Sequence, residues 1–142
     1  MFTTYSFGDV ITTISHPAVG QYVASGEGLG NITTAMAGDK TTHDTSADGS
    51  VMVSKIKGRN GTISVSVQQT SGLNKYLLKL YNYLDTAPAS QWAGITILQR
   101  APNMGESITS TGVSFQKLPD KPYQAQGQQV TWMFMAADIQ QD

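Results

Sequence analysis

The sequence contains no cysteine. Disulfide staples, thiolate-bound metals and cysteine nucleophiles are therefore excluded. Charge is also scarce: Asp, Glu, Lys and Arg together supply 13% of the 142 residues, about half the usual share, and the net charge is -1. So few cations argue against tight phosphate binding, which depends on clustered Lys and Arg releasing counterions. Long apolar runs are missing, and the longest, residues 132–137, is too short to span a bilayer. The opening Met1-Phe2-Thr3-Thr4-Tyr5 has no basic stretch followed by an apolar one, so the expectation is a soluble protein made in a cytoplasm. Ser, Thr, Gln and Gly supply most of the polarity. A neutral polar surface of this kind meets other protein surfaces with little desolvation cost. The length suits one domain, 1–142, with enough core to fold unaided.

What is present reads mainly as strand. In Thr62-Ile63-Ser64-Val65-Ser66-Val67-Gln68 the apolar residues face one way and the polar ones the other. Asn60-Gly61 just before it suits a tight hairpin turn, which makes residues 51–57 the expected partner strand. Residues 2–14 alternate loosely, with Gly8 as an expected bulge or close backbone approach. Residues 92–99 and 107–118 are further strands around a turn at Ala101-Pro102-Asn103-Met104-Gly105. In residues 129–139, Val130, Trp132 and Phe134 share one face and Met133 and Met135 the other. A strand apolar on both faces is expected to be central in a sandwich or covered by another subunit. The single helix is marked by Leu73, Tyr76, Leu77, Leu80, Tyr81 and Leu84 at three- and four-residue steps, with Lys75, Lys79 and Asn82 toward solvent. Ser71 is placed to cap it and Pro88 to stop it. Residues 37–50 lose all pattern and read as a long polar loop, of the kind that serves interactions.

No chemistry emerges. Gly26-Glu27-Gly28-Leu29-Gly30 has the wrong spacing for a dinucleotide fingerprint, and Asn31-Ile32-Thr33-Thr34 after it looks like strand, so a turn or bulge is favoured over a phosphate cradle. His43, Asp44 and Asp48 lack the third nitrogen or sulfur ligand zinc needs and the acid spacing calcium needs, so a solvated loop is favoured there. The only other histidine, His16, precedes Pro17 in a turn-like stretch. No Gly-x-Ser-x-Gly elbow accompanies the serines. Lys55, Lys57 and Arg59 read as a solvated strand face, and Tyr76 and Tyr81 as core. The residues describe a scaffold without catalytic, cofactor or metal sites.

The order of features is nonetheless distinctive: Tyr5-Ser6-Phe7, Asp9-Val10, Gly26 and Gly28, Asp39-Lys40, Ala47-Asp48-Gly49-Ser50, Gly61-Thr62, Thr70-Ser71, Asn74 and Tyr81-Asn82. Trp92 and Gly105 follow, then Phe115, Lys117, Pro119-Asp120, Tyr123, Gly127, Trp132, Phe134, Ala136-Ala137 and Ile139. In this order and spacing the chain resembles the phage tail-tube proteins of contractile tails over most of its length. Residues 41–46 and Gln68-Gln69 depart from the family pattern.

The resemblance implies an α+β fold, mainly β with one α-helix: a β-sandwich or small barrel, a flanking helix and a long inter-subunit loop. It implies rings, usually hexameric, whose sheets join around a lumen and which stack into a tube, with a tail sheath, tape-measure and baseplate proteins as partners. DNA would pass through the lumen during ejection without specific binding. The contact loop would include Asp39, Lys40, His43, Asp44, Asp48 and Ser50, a segment expected to be mobile in a free subunit because it has little to bury. Thr62, Ser64, Ser66 and Gln68 are the expected lumen face, since neutral side chains hold no phosphate. The expected location is the virion tail, after assembly in the host cytoplasm. Rival readings are a tail terminator or baseplate hub of the same fold, a type VI secretion tube protein, or a carbohydrate-binding β-sandwich stacking Trp92 and Trp132 on sugars.

Overall fold

The structure, a computed structural model, describes residues 4–25 and 28–142. The glycine-rich segment's Gly26 and Glu27, and the first residues of the expected strand 2–14, lie outside the described residues. The elements are strands β1 (Ile11–His16), β2 (Gly20–Ala24), β3 (Leu29–Met36), β4 (Thr41–Thr45), β5 (Val51–Lys55) and β6 (Gly61–Gln68), helix α1 (Gly72–Thr86), then β7 (Ile95–Ala101), β8 (Glu106–Lys117) and β9 (Gln129–Gln141). Seven strands form one antiparallel sheet in the order β2-β1-β7-β8-β9-β6-β3, while β4 and β5 pair only with each other.

The sheet curls into a half-barrel. Gln99 on β7 donates to the Thr34 hydroxyl on the edge strand β3 at 3.0 Å, so the two sides of the curl meet across the interior. The inner face follows from the period-two pattern: Ile63, Val65 and Val67 of β6 lie against Val130, Trp132 and Phe134 of β9, all buried. Phe115 joins this cluster, its ring 4.9 Å from Phe134 and 5.5 Å from Trp132. Helix α1 closes the open side by burying Leu73, Leu77, Leu80 and Leu84. Each such leucine contributes roughly 1.5–3 kcal/mol. Ser71 caps the helix by accepting from the Asn74 N–H, and Asn74 in turn accepts from the Trp132 indole at 3.0 Å, so one polar chain ties the helix start to the core. Trp132 is fully buried, so it is not available to stack on sugars. Trp92 is half-buried, edge-on to Tyr81.

Several expectations are corrected. Residues 51–57 do not pair with β6; β5 pairs with β4, and β6 lies between β3 and β9. Asn60-Gly61 is not a tight turn but the entry to β6. Gly61 is used for close approach, since a Cβ there would collide with the Ala35 carbonyl oxygen of β3. The local turn signal loses because β9, and Leu29 and Ile32 of β3, give β6 apolar partners on its buried face, whereas Val51, Met52 and Val53 of β5 are exposed. The polar loop at 37–50 contains regular structure, the strand β4. Gly8 sits in a single 3-10 turn, Phe7–Asp9, rather than a bulge, and β1 starts only at Ile11. The register shifts instead on β8, at Thr111 and Gly112 against β7 and at Gln116 against β9, and on β3 at Gly30, in the glycine-rich segment expected to turn or bulge. The short strand β2 had no counterpart in the sequence reading. On β9 one apolar face is core, while Met133 is half-buried and Met135 exposed.

Replacing Gly61 with alanine forces β3 away from β6 and is expected to lower subunit stability by about 1–3 kcal/mol. Gly38→Ala, where a Cβ meets nothing within 4 Å, should stay within about 0.5 kcal/mol of wild type. Urea unfolding of the unassembled subunits measures both.

Candidate assembly surfaces

Between β3 and β6 the chain leaves the half-barrel and returns, and the excursion is the β4–β5 hairpin, an arm exposed along its whole length. Its base is closed by the Ala37 N–H on the Asn60 carbonyl at 3.0 Å, the Ile56 N–H on the Lys40 carbonyl at 2.9 Å, and the Lys40 ammonium on the Gly58 carbonyl. Arg59 at its exit forms a forked pair with Asp138 of β9, with Nε at 2.7 Å and Nη2 at 3.0 Å. Both side chains are about half exposed, so the pair is worth only about 0.2–1 kcal/mol, but it fixes where the arm leaves the body. Of the basic trio, only Lys55 lies on a strand; Lys57 and Arg59 lie in the connection, and Arg59 is paired rather than simply solvated.

At the tip the Ser46 hydroxyl and the Ser50 N–H both donate to the Asp48 carboxylate, and Gly49 takes a φ of 91°, which glycine alone adopts readily. These hydrogen bonds, the Ser46 hydroxyl first, hold the Asp48 pKa down at about 2. The six expected contact residues thus divide: Asp39 and Lys40 lie at the base, His43 and Asp44 along β4, Asp48 and Ser50 at the tip. His43 pairs with Val53 and its neighbour Asp44 with Met52, so the two project to opposite faces and form no joint site. No group of three metal-ligating residues occurs among the described residues. His16 is a structural residue: its Nδ1 accepts from the Ala18 N–H and its Nε2 donates to the Gln91 carbonyl, each at 3.1 Å.

Thr62, Ser64, Ser66 and Gln68 all lie on the face of β6 turned away from the core. The register extends that face in a way the sequence did not reveal: Met135 stands opposite Thr62, Met133 opposite Ser64 and Thr131 opposite Ser66, with the last two hydroxyls 3.1 Å apart. On the other side Ala35, Thr33 and Asn31 of β3 complete it. The face carries no formal charge. At the end of β6 away from the arm, Gln68, Gln69, Gln126, Gln128 and Gln129 line an open cleft of about 750 Å³. Thr70 and Gly127 complete the lining, and a lone hydroxyl among amides has no acid or base beside it to activate it.

The fold is a half-barrel with β2 and β3 at its two sheet edges, a projecting arm and an outer face on β6 that bears only neutral side chains. The sequence matches the family described as bacteriophage PhiTE tail tube protein over residues 2–142, and the chain belongs to that family. It is accordingly a structural tail protein and not an enzyme. No curated protein matches it by sequence. Its fold is similar to that of a chain in the sheath-tube complex, in the extended state, of the extracellular contractile injection system PVC, with a TM-score of 0.64, 8% identity, and 98% of this chain and 91% of that one covered. It is similar to the tube terminating cap of the anti-feeding prophage, with a TM-score of 0.66, 12% identity, and 100% and 94% covered. The PVC sheath/tube terminator gives a TM-score of 0.65 at 7% identity, with 100% and 98% covered.

Asp48 supplies a test of the arm's turn. Its depressed pKa means the turn is held fully above the ordinary carboxylate range, near 3.8, and is released as pH falls through about 2. In an amide-proton titration the Ser50 N–H should follow a midpoint near 2 and lose its downfield position below it. A midpoint near 3.8 contradicts the bonded turn.

Proposed function

We propose that this chain is the inner tail-tube subunit of a contractile-tailed phage. Residues 1–142 act as a single tail-tube domain. Copies join edge to edge into rings, with six per ring the expected number, and the rings stack into the conduit for DNA ejection. The tail sheath surrounds the tube, a tape-measure protein sets its length and a baseplate starts it. The protein then resides in the virion tail, after assembly in the host cytoplasm.

The observation that carries the reading is the family match along nearly the whole chain. The geometry supports it. Strands β2 and β3 leave both sheet edges open, and unpaired edges invite pairing with another chain. The arm reaches beyond the body to contact a neighbour, using Asp39, Lys40, His43, Asp44, Asp48 and Ser50. Thr62, Ser64, Ser66 and Gln68, joined by Met133 and Met135, line the lumen. DNA slides past these residues because none of them is a cation that holds phosphates; Lys117 of β8, opposite Met133, stands at their border.

A second reading, a tail terminator or baseplate ring, is favoured by a specific observation: terminator proteins match this fold as well as a tube-complex chain does, at TM-scores of 0.65, 0.66 and 0.64. A terminator forms one ring and stops; a tube subunit elongates. Negative-stain electron microscopy with sedimentation of the purified protein at high concentration separates them. Long hollow tubes of uniform width are expected. Single rings favour the terminator or hub, or a tube subunit that needs a baseplate to nucleate, and a monomer at every concentration even with baseplates added contradicts both.

A further inference from the structure

Subunits that stack head to tail need complementary features at their two ends, and the half-barrel carries a matched pair. Strand β6 runs from Gly61 at the arm end to Gln68 at the far end, and β9 runs back beside it, with Gln129 opposite Gln68 and Ala136 opposite Gly61. The loop at 118–128 joins β8 to β9 and so lies at the far end. At its crest Tyr123 is 90% exposed. The loop is held firmly: Gln69 donates to the Pro122 carbonyl and accepts from the Gln128 N–H, clamping both sides of Tyr123, while Pro119 and Pro122 restrict the backbone. A preorganised loop loses little entropy when it binds.

At the arm end, where β7 finishes and β8 begins, there is a hollow of about 290 Å³ lined by Tyr5, Val10, Ile32, Met104 and Ile108. Arg100 and Glu106 stand among its lining, and Asp120 and Lys121 precede Tyr123 on the loop. Asp9 also borders the hollow and Lys117 ends β8 before the loop, so the complementarity lies between the lining pair Arg100 and Glu106 and the pair next to Tyr123. A single exposed aromatic is ordinary. An exposed, clamped aromatic at one end, a hollow at the other and reciprocal charges beside both are what a repeating contact requires.

We propose that the Tyr123 loop of one subunit docks into the arm-end hollow of a second copy in the next ring, with Asp120 toward Arg100 and Lys121 toward Glu106. The tyrosine supplies the buried anchor, and the peripheral charges set register more than affinity. Because knob and socket are different surfaces, the contact is heterologous and repeats without closing, which is how a ring becomes a tube. The inference rests on the tube reading above.

The test compares tube formation by wild type and Tyr123→Ala, by sedimentation and electron microscopy. Loss of a buried aromatic anchor should raise the concentration needed for elongation by about 30-fold or more. Lys121→Glu and Glu106→Lys should each impair elongation, and the double variant should restore it in part. Since the chain has no cysteine, Tyr123→Cys combined with Met104→Cys should give, on oxidation of assembled tubes, a ladder of covalent multimers. Tyr123→Ala tubes that elongate at the wild-type concentration, or doubly substituted tubes that yield no ladder, overturn the docking and leave the tube reading intact. A wild-type chain that forms no tubes even when seeded with baseplates overturns both.

Discussion

The constraint on which the rest of the structure depends is an antiparallel sheet that curls but does not close. Strands β2 and β3 are successive in sequence yet lie at opposite edges of the seven-stranded order. Their unpaired backbone groups must be satisfied by water or by another chain. Inside the curl that problem is solved by helix α1, whose leucine stripe covers the core. At the edges it is left open. A monomeric protein would blunt such edges with lysines, prolines or short irregular strands. Edge strand β2 is short, five residues, but β3 is eight residues with no charge and no proline, and its bulge at Gly30 leaves 31–36 as a regular edge.

Low charge has a consequence for the interior as well as the surface. The core relies on apolar side chains and a few satisfied polar ones, such as the chain from Ser71 through Asn74 to Trp132. The single ion pair seen among the described residues, Arg59 with Asp138, is spent where the arm joins the body. Charge is thus used to aim the arm rather than to hold the fold. The outward side chains of β6 and their partners on β3 and β9 are neutral, with Lys117 of β8 at their border, opposite Met133.

How much of this was legible in the sequence depended on range. The helix was readable end to end because its signals are local: the Ser71 cap, the leucine spacing and Pro88 all act within a few residues. Strands β6 and β9 were readable from alternation, but their partnership was not, since Ser66 and Thr131 meet across 65 residues. That gap is why Asn60-Gly61 misled, and why Met133 and Met135 were not joined to the Thr62–Ser66 face. Residues 37–50 read as a polar loop and 51–57 as a strand, but β4 stayed hidden and β5 took the wrong partner, because neither strand of the arm is buried and β4 carries no alternating pattern. The candidate contact residues were found by composition; their division into base, stem and tip required the register.

The central claim is that the open edges and the arm are completed by neighbouring copies. Hydrogen–deuterium exchange, compared between unassembled subunit and assembled polymer, tests it most directly. The account predicts that amides of β3 and of the β4–β5 arm exchange quickly in the free subunit and become strongly protected on assembly, while the β9 centre around Trp132 is protected in both. Equal exchange of β3 and the arm before and after assembly would contradict it.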